Sequence, residues 1–63
     1  MSRGDKVVIA RTALNQYRGL PIGRECIVQD IFEQLGKFNL LAVYDPVAGK
    51  SYYVTDDLVD KAA

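Results

Sequence analysis

A chain of 63 residues, 49% hydrophobic and 25% charged, has room for one domain and one core, and its composition excludes a disordered or fibrous polypeptide. Eight basic and eight acidic residues cancel to zero net charge, which argues against autonomous affinity for a polyanion. With no histidine and a single cysteine, Cys26, neither an internal disulfide nor a zinc site of standard ligands can be built.

Five apolar or β-branched runs punctuated by Gly and Pro predict an all-β domain, a small closed barrel of five strands with one or two short helical turns. In the first strand, Val7-Val8-Ile9-Ala10, alternation sends Val7 and Ile9 to the core. Thr12 is placed to cap a short helix over Ala13 to Arg18, and Gly19 supplies its left-handed stop. Gly19-Leu20-Pro21-Ile22-Gly23 extends this into the longest connection of the chain, and long loops in small domains carry function more often than filler. The second strand spans about Glu25 to Phe32. Cys26 and Val28 share a face, Ile31 breaks parity, and a β-bulge near Gln29-Asp30 would return Ile31 to the core. A helical turn from Asp30, stopped by Gly36, is the rival reading.

The third strand is expected over Phe38 to Tyr44, with Leu41 and Val43 inward. Asp45-Pro46-Val47-Ala48-Gly49-Lys50 reads as a turn with Pro46 at its second position, followed by a strand from Ser51 to Val54. Thr55-Asp56-Asp57 opens one helical turn before Leu58-Val59, and Leu58 is expected to plug an end of the barrel. The core set is Val7, Ile9, Cys26, Val28, Ile31, Leu41, Val43, Val54 and Leu58.

The succession Gly4-Asp5-Lys6-Val7-Val8-Ile9, Gly23 with Val28 and Ile31, Leu41 with Val43-Tyr44-Asp45, Gly49-Lys50, Tyr52 to Val54 and Asp57-Leu58-Val59 resembles SH3-like barrels of the KOW and translation-protein type. It is also similar to small bacterial and prophage domains of that fold. The resemblance implies an SH3-like barrel and, through KOW-type domains, contact with RNA or ribonucleoprotein. Peptide-binding SH3 domains use an Ala-Leu-Tyr-Asp-Tyr segment and a groove tryptophan. This chain has no tryptophan, and Val43-Tyr44-Asp45-Pro46 lies in the wrong part of the chain to substitute.

Catalysis has little to work with. Ser2 and Ser51 have no evident base, the pair Asp56-Asp57 reads as a cap on a helical turn, and no phosphate-binding glycine loop occurs. The expectation is a non-enzyme with no cofactor. No apolar run approaches the roughly 18 residues of a membrane span, and Met1 to Asp5 leads into a strand without a signal-peptide apolar region, so a cytoplasmic protein with no membrane partner is expected.

What remains are surfaces. Residues 1 to 24 hold Arg3, Lys6, Arg11, Arg18 and Arg24 against Asp5, a net of +4, and the remainder holds seven acids against three lysines, a net of −4. These halves either segregate into a dipole or interleave into neutral pairs. The outer face of the third strand, Leu40, Ala42 and Tyr44, is too apolar for full solvation. Either Leu14, Tyr17, Leu20 and Ile22 of the first loop fold over it, or a partner does. Arg11, Tyr17, Arg18, Arg24, Tyr44 and Tyr53 are the candidate binding residues, since aromatic rings beside arginines suit interface hot spots and stacking. A protein partner is favoured. Nucleic acid in weak contact and a second copy of the chain are the other candidates, and an acidic face of Asp45, Asp56, Asp57 and Asp60 is the fallback surface.

Overall fold

The computed structural model describes residues 1–33 and 36–62. Five antiparallel strands form one sheet in the order β4-β3-β2-β1-β5: β1 Lys6–Ile9, β2 Glu25–Phe32, β3 Leu40–Asp45, β4 Lys50–Thr55 and β5 Val59–Lys61. A short helix, α1 (Ala13–Tyr17), interrupts the β1–β2 connection, and a 3₁₀ turn, η1 (Asp56–Leu58), separates β4 from β5. β3 starts two residues later than its pattern suggests and, like β4, runs one residue further at its C-terminal end. The strands β4 and β5 are the sheet edges, and no ladder joins them. The expected closure into a barrel is therefore absent from the hydrogen bonding: β4 runs directly into η1, and β5 leaves η1 to pair with β1, so the edges are linked by chain continuity.

Alternation decides the core. Val7, Ile9, Cys26, Val28, Leu41, Val43, Val54, Leu58 and Val59 are buried together with Leu20 from the first loop. Ile31, expected at full burial, is only partly buried against this cluster, as are Ile22 and Tyr52. The β2–β3 register shifts between Val28 and Asp30, so the bulge is real and Ile31 pairs with Leu41 on the inner side. Ile31 is the next-to-last residue of β2, one pair from the end of its ladder with β3. The rival helical turn fails at its start, because Asp30 to Phe32 are strand; its middle, residues 34 and 35, lies outside the described residues.

The helix α1 is short because both ends are tied. Thr12 Oγ1 accepts from the Asn15 amide at 3.1 Å. At the other end the Gly19 and Leu20 amides donate to the Gln16 and Asn15 carbonyls, each at 3.1 Å, with Gly19 at φ +72°, the left-handed stop that a side chain disfavours. That stop delivers Leu20 to the core. Asn15 is fully buried, and its amide nitrogen donates to the carbonyls of Ala10 at 2.8 Å and Leu58 at 2.9 Å. One side chain thus ties the first loop to the end of β1 and to η1.

Candidate functional site

Residues that point away from the core on β2, β3 and β4 follow from register alone. Across the ladder, Ile27 lies beside Tyr44, which lies beside Ser51; Asp30 lies beside Ala42, which lies beside Tyr53; Phe32 lies beside Leu40, which lies beside Thr55. The inward neighbours Val28, Val43, Leu41 and Val54 are buried, so these nine positions form the outer face. Leu40, Ala42, Tyr44 and Ile27 are half-buried, whereas Tyr53 is 58% exposed and Phe32 44%. Asp30 is the one charged residue of the nine, and Arg3 neutralises it at 2.9 Å. Hydrogen bonds from the Ile31 amide and from Arg3 hold the Asp30 carboxyl below the usual carboxylate range. The Lys6–Glu25 pair, at 3.7 Å, borders the face on the β1 side.

The first loop does not cover this face. Tyr17 is 90% exposed and Leu14 51%, while Leu20 turns inward. The reason is local: the helix stop at Gly19 directs Leu20 to the core, leaving Leu14 and Tyr17, three apart on α1, on its solvent side. Of the residues around α1, Arg18 reaches the β4 edge. Its Nη2 donates to the Tyr53 carbonyl oxygen at 2.8 Å, on the free edge of β4.

The six candidate binding residues therefore separate. Tyr44 and Tyr53 share the outer face, Arg18 sits at its edge, and Tyr17 stands beside Arg18 on α1. Arg11 is exposed, with no ion pair among the described residues. Arg24 is engaged elsewhere: its Nη1 donates to Asp45 Oδ2 at 2.8 Å, and the Asp45 side chain is wholly buried. The expectation that Asp45 joins Asp56, Asp57 and Asp60 on an exposed acidic face therefore fails, because its carboxylate is buried against Arg24. Its Oδ1 accepts from the Val47 and Ala48 amides at 3.0 and 3.3 Å, locking the β3–β4 turn. Burial acts to raise the Asp45 carboxyl, but the Arg24 hydrogen bond and the two amides outweigh it and hold the carboxyl low. Burial pushes the nearby Cys26 thiol up, away from the reactive thiolate form.

Each of the three ion pairs among the described residues joins a cation of residues 1–24 to an anion of the remainder, so the two halves interleave rather than segregate. Ile27 and Phe32 were not among the candidates, yet the signal was present: a bulge that returns Ile31 to the core turns Phe32 outward. Among the described residues there is no pocket and no group of three or more potential metal ligands. No helix among them is long and apolar enough to cross a membrane. No family model, curated protein or solved structure matches the chain.

Proposed function

We propose that this chain is a small non-catalytic interaction module that binds a protein partner through the outer face of β3 and the 11–24 loop. The observation that carries the reading is the outer face itself. In a chain one-quarter charged, a nine-residue sheet face holds one charge, already paired, two hydroxyls, Ser51 and Thr55, each hydrogen-bonded within the chain, and six apolar or aromatic side chains. An antiparallel sheet face meant for water alternates to polar side chains, and an exposed apolar surface marks an interaction site. Arg18 and Tyr17 extend the surface over the β4 edge. The order of elements, with a long first connection, three strands in succession and a single 3₁₀ turn before the last, supports an SH3-like domain of the KOW and translation-protein type. A reducing, cytoplasmic setting suits the unpaired, buried Cys26.

Affinity capture from the source cells tests the reading when wild type is run beside Phe32→Ser, Tyr53→Ser and the distant Lys61→Ala. A discrete protein held by wild type and Lys61→Ala, and lost by both outer-face variants, is the expected result; equal capture by all four defeats it. One observation favours a second reading, nucleic-acid or ribonucleoprotein contact: Arg18, next to exposed Tyr17 at the end of α1, and Arg11, ahead of the start of α1, have no carboxylate partner among the described residues. Guanidinium groups on phosphates with a stacked ring beside one of them form a single-strand binding arrangement. A fluorescent oligonucleotide that binds wild type and not Tyr17→Ala would favour it.

A further inference from the structure

We infer that the partner of the outer sheet face is a second copy of this chain, seated face to face about a two-fold axis; the inference rests on reading that face as an interaction surface. Charge is the first argument. A two-fold pairing sets every patch against itself, so a face of one charge sign would oppose like charge, whereas a face whose charges are paired, Asp30 with Arg3 and, at its border, Lys6 with Glu25, presents no net charge to its copy. The whole molecule carries no net charge that would hold copies apart. Shape is the second. Tyr53, the most exposed ring of the sheet, stands directly beside Ala42, the smallest side chain of the face. Neighbouring knob and hollow are self-complementary under a two-fold: Tyr53 of each copy seats over Ala42 of the other, both contacts forming at once. Two outer faces stacked in this way reproduce the packing of a β-sandwich.

Size sets the strength. A molecule with Cα extents of 29 × 25 × 21 Å can press only about 500–700 Å² of one face on a partner, below the roughly 800 Å² per partner of a standard stable interface. The dimer is therefore weak and concentration-dependent, with no obligate subunit contact.

Sedimentation equilibrium from about 10 μM to 1 mM, an interval chosen to bracket weak association, reads the outcome directly. Wild type is expected to rise from the 7.0 kDa monomer towards twice that mass. Tyr53→Lys, which removes the knob and places a charge on the face, and Ala42→Leu, which fills the hollow, should stay monomeric. Amide chemical shifts of wild type followed over the same dilution need no variant, and changes confined to Ile27, Phe32, Leu40, Ala42, Tyr44, Tyr53 and their neighbours are expected. A wild type monomeric at 1 mM overturns the second copy. So does association that both variants retain, or shift changes lying elsewhere. The interaction-module reading survives a monomeric wild type and falls separately, if Phe32→Ser and Tyr53→Ser capture the same proteins as wild type.

Discussion

Asp45 is the residue on which the β3–β4 turn and the end of the first loop both depend. Its carboxyl is held below the ordinary value, so its contribution is fully present above the unfolded carboxylate value of about 4 and is lost as pH falls through the lower folded value. The thermal midpoint is expected to be flat near neutrality and to drop below about pH 4, where Asp30 adds a loss of the same sign. Arg24→Ala strands a buried carboxylate and should lower the midpoint at pH 7, a deficit that narrows on acidification as Asp45 takes up its proton. Arg11→Ala and Arg18→Ala should leave the midpoint nearly unchanged, since neither cation has a carboxylate partner among the described residues. Calorimetric scans across pH compare all four proteins. Asn15 bears a different load. Asn15→Ala would remove the two side-chain bonds that tie Ala10 to Leu58, while the Ala10 and Leu58 carbonyls each keep a backbone donor, the Thr12 and Ala10 amides. The loss, measured by urea unfolding, is expected at about 1–3 kcal/mol, the net worth of two hydrogen bonds.

Among the elements, β3 is the one whose two faces do different jobs, and the pair Leu40 and Leu41 separates them. Leu41 is 1% exposed in the core, and Leu41→Ala is expected to cost about 2–5 kcal/mol, enough to unfold much of a domain this small. Leu40, one residue away and outward, should lose less than about 1 kcal/mol on the same change. Denaturant unfolding of both variants checks the parity, and equal costs would mean the face assignment is wrong. This parity was legible in the sequence because strand alternation needs nothing beyond the strand itself. So was the bulge, since Ile31 falls out of step with Val28, and so was α1, whose Thr12 cap and Gly19 stop are local chemistry. Asp45 was not legible: an Asp before Pro in a turn reads as a solvent-exposed cap, and its burial depends on Arg24, 21 residues away. Nor was the fate of the first loop, because Leu14, Tyr17 and Leu20 are all apolar enough to cover a sheet and the Gly19 stop selects only Leu20. Strand number followed from the spacing of turns, whereas edge pairing depends on sheet curvature, which no local pattern encodes.

For the whole molecule, the interleaving of charge sets an upper limit on nucleic-acid affinity. Of the five cations among residues 1–24, Arg3, Lys6 and Arg24 are spent on carboxylates, which leaves Arg11 and, next to Tyr17, Arg18. Two phosphate contacts to a single strand predict a slope of log affinity against log salt no steeper than about −1.4, at about −0.7 per contact. With net charge zero there is little long-range attraction to add to those contacts. A fluorescein-labelled oligothymidine titrated in anisotropy at about 50 and 200 mM salt, a range over which counterion release is readily measured, should therefore bind weakly and lose no more than about tenfold. Arg11→Ala and Arg18→Ala should each reduce the slope, whereas Arg24→Ala should leave it unchanged once its lower stability is allowed for. A steeper slope would require further cations on phosphate, either Lys37, Lys50 or Lys61, which form no ion pair among the described residues, or cations released from the ion pairs. That result would favour the nucleic-acid reading and make those lysines, and the Arg3–Asp30 and Lys6–Glu25 pairs, both on the surface and worth little to stability, the first places to seek the missing contacts.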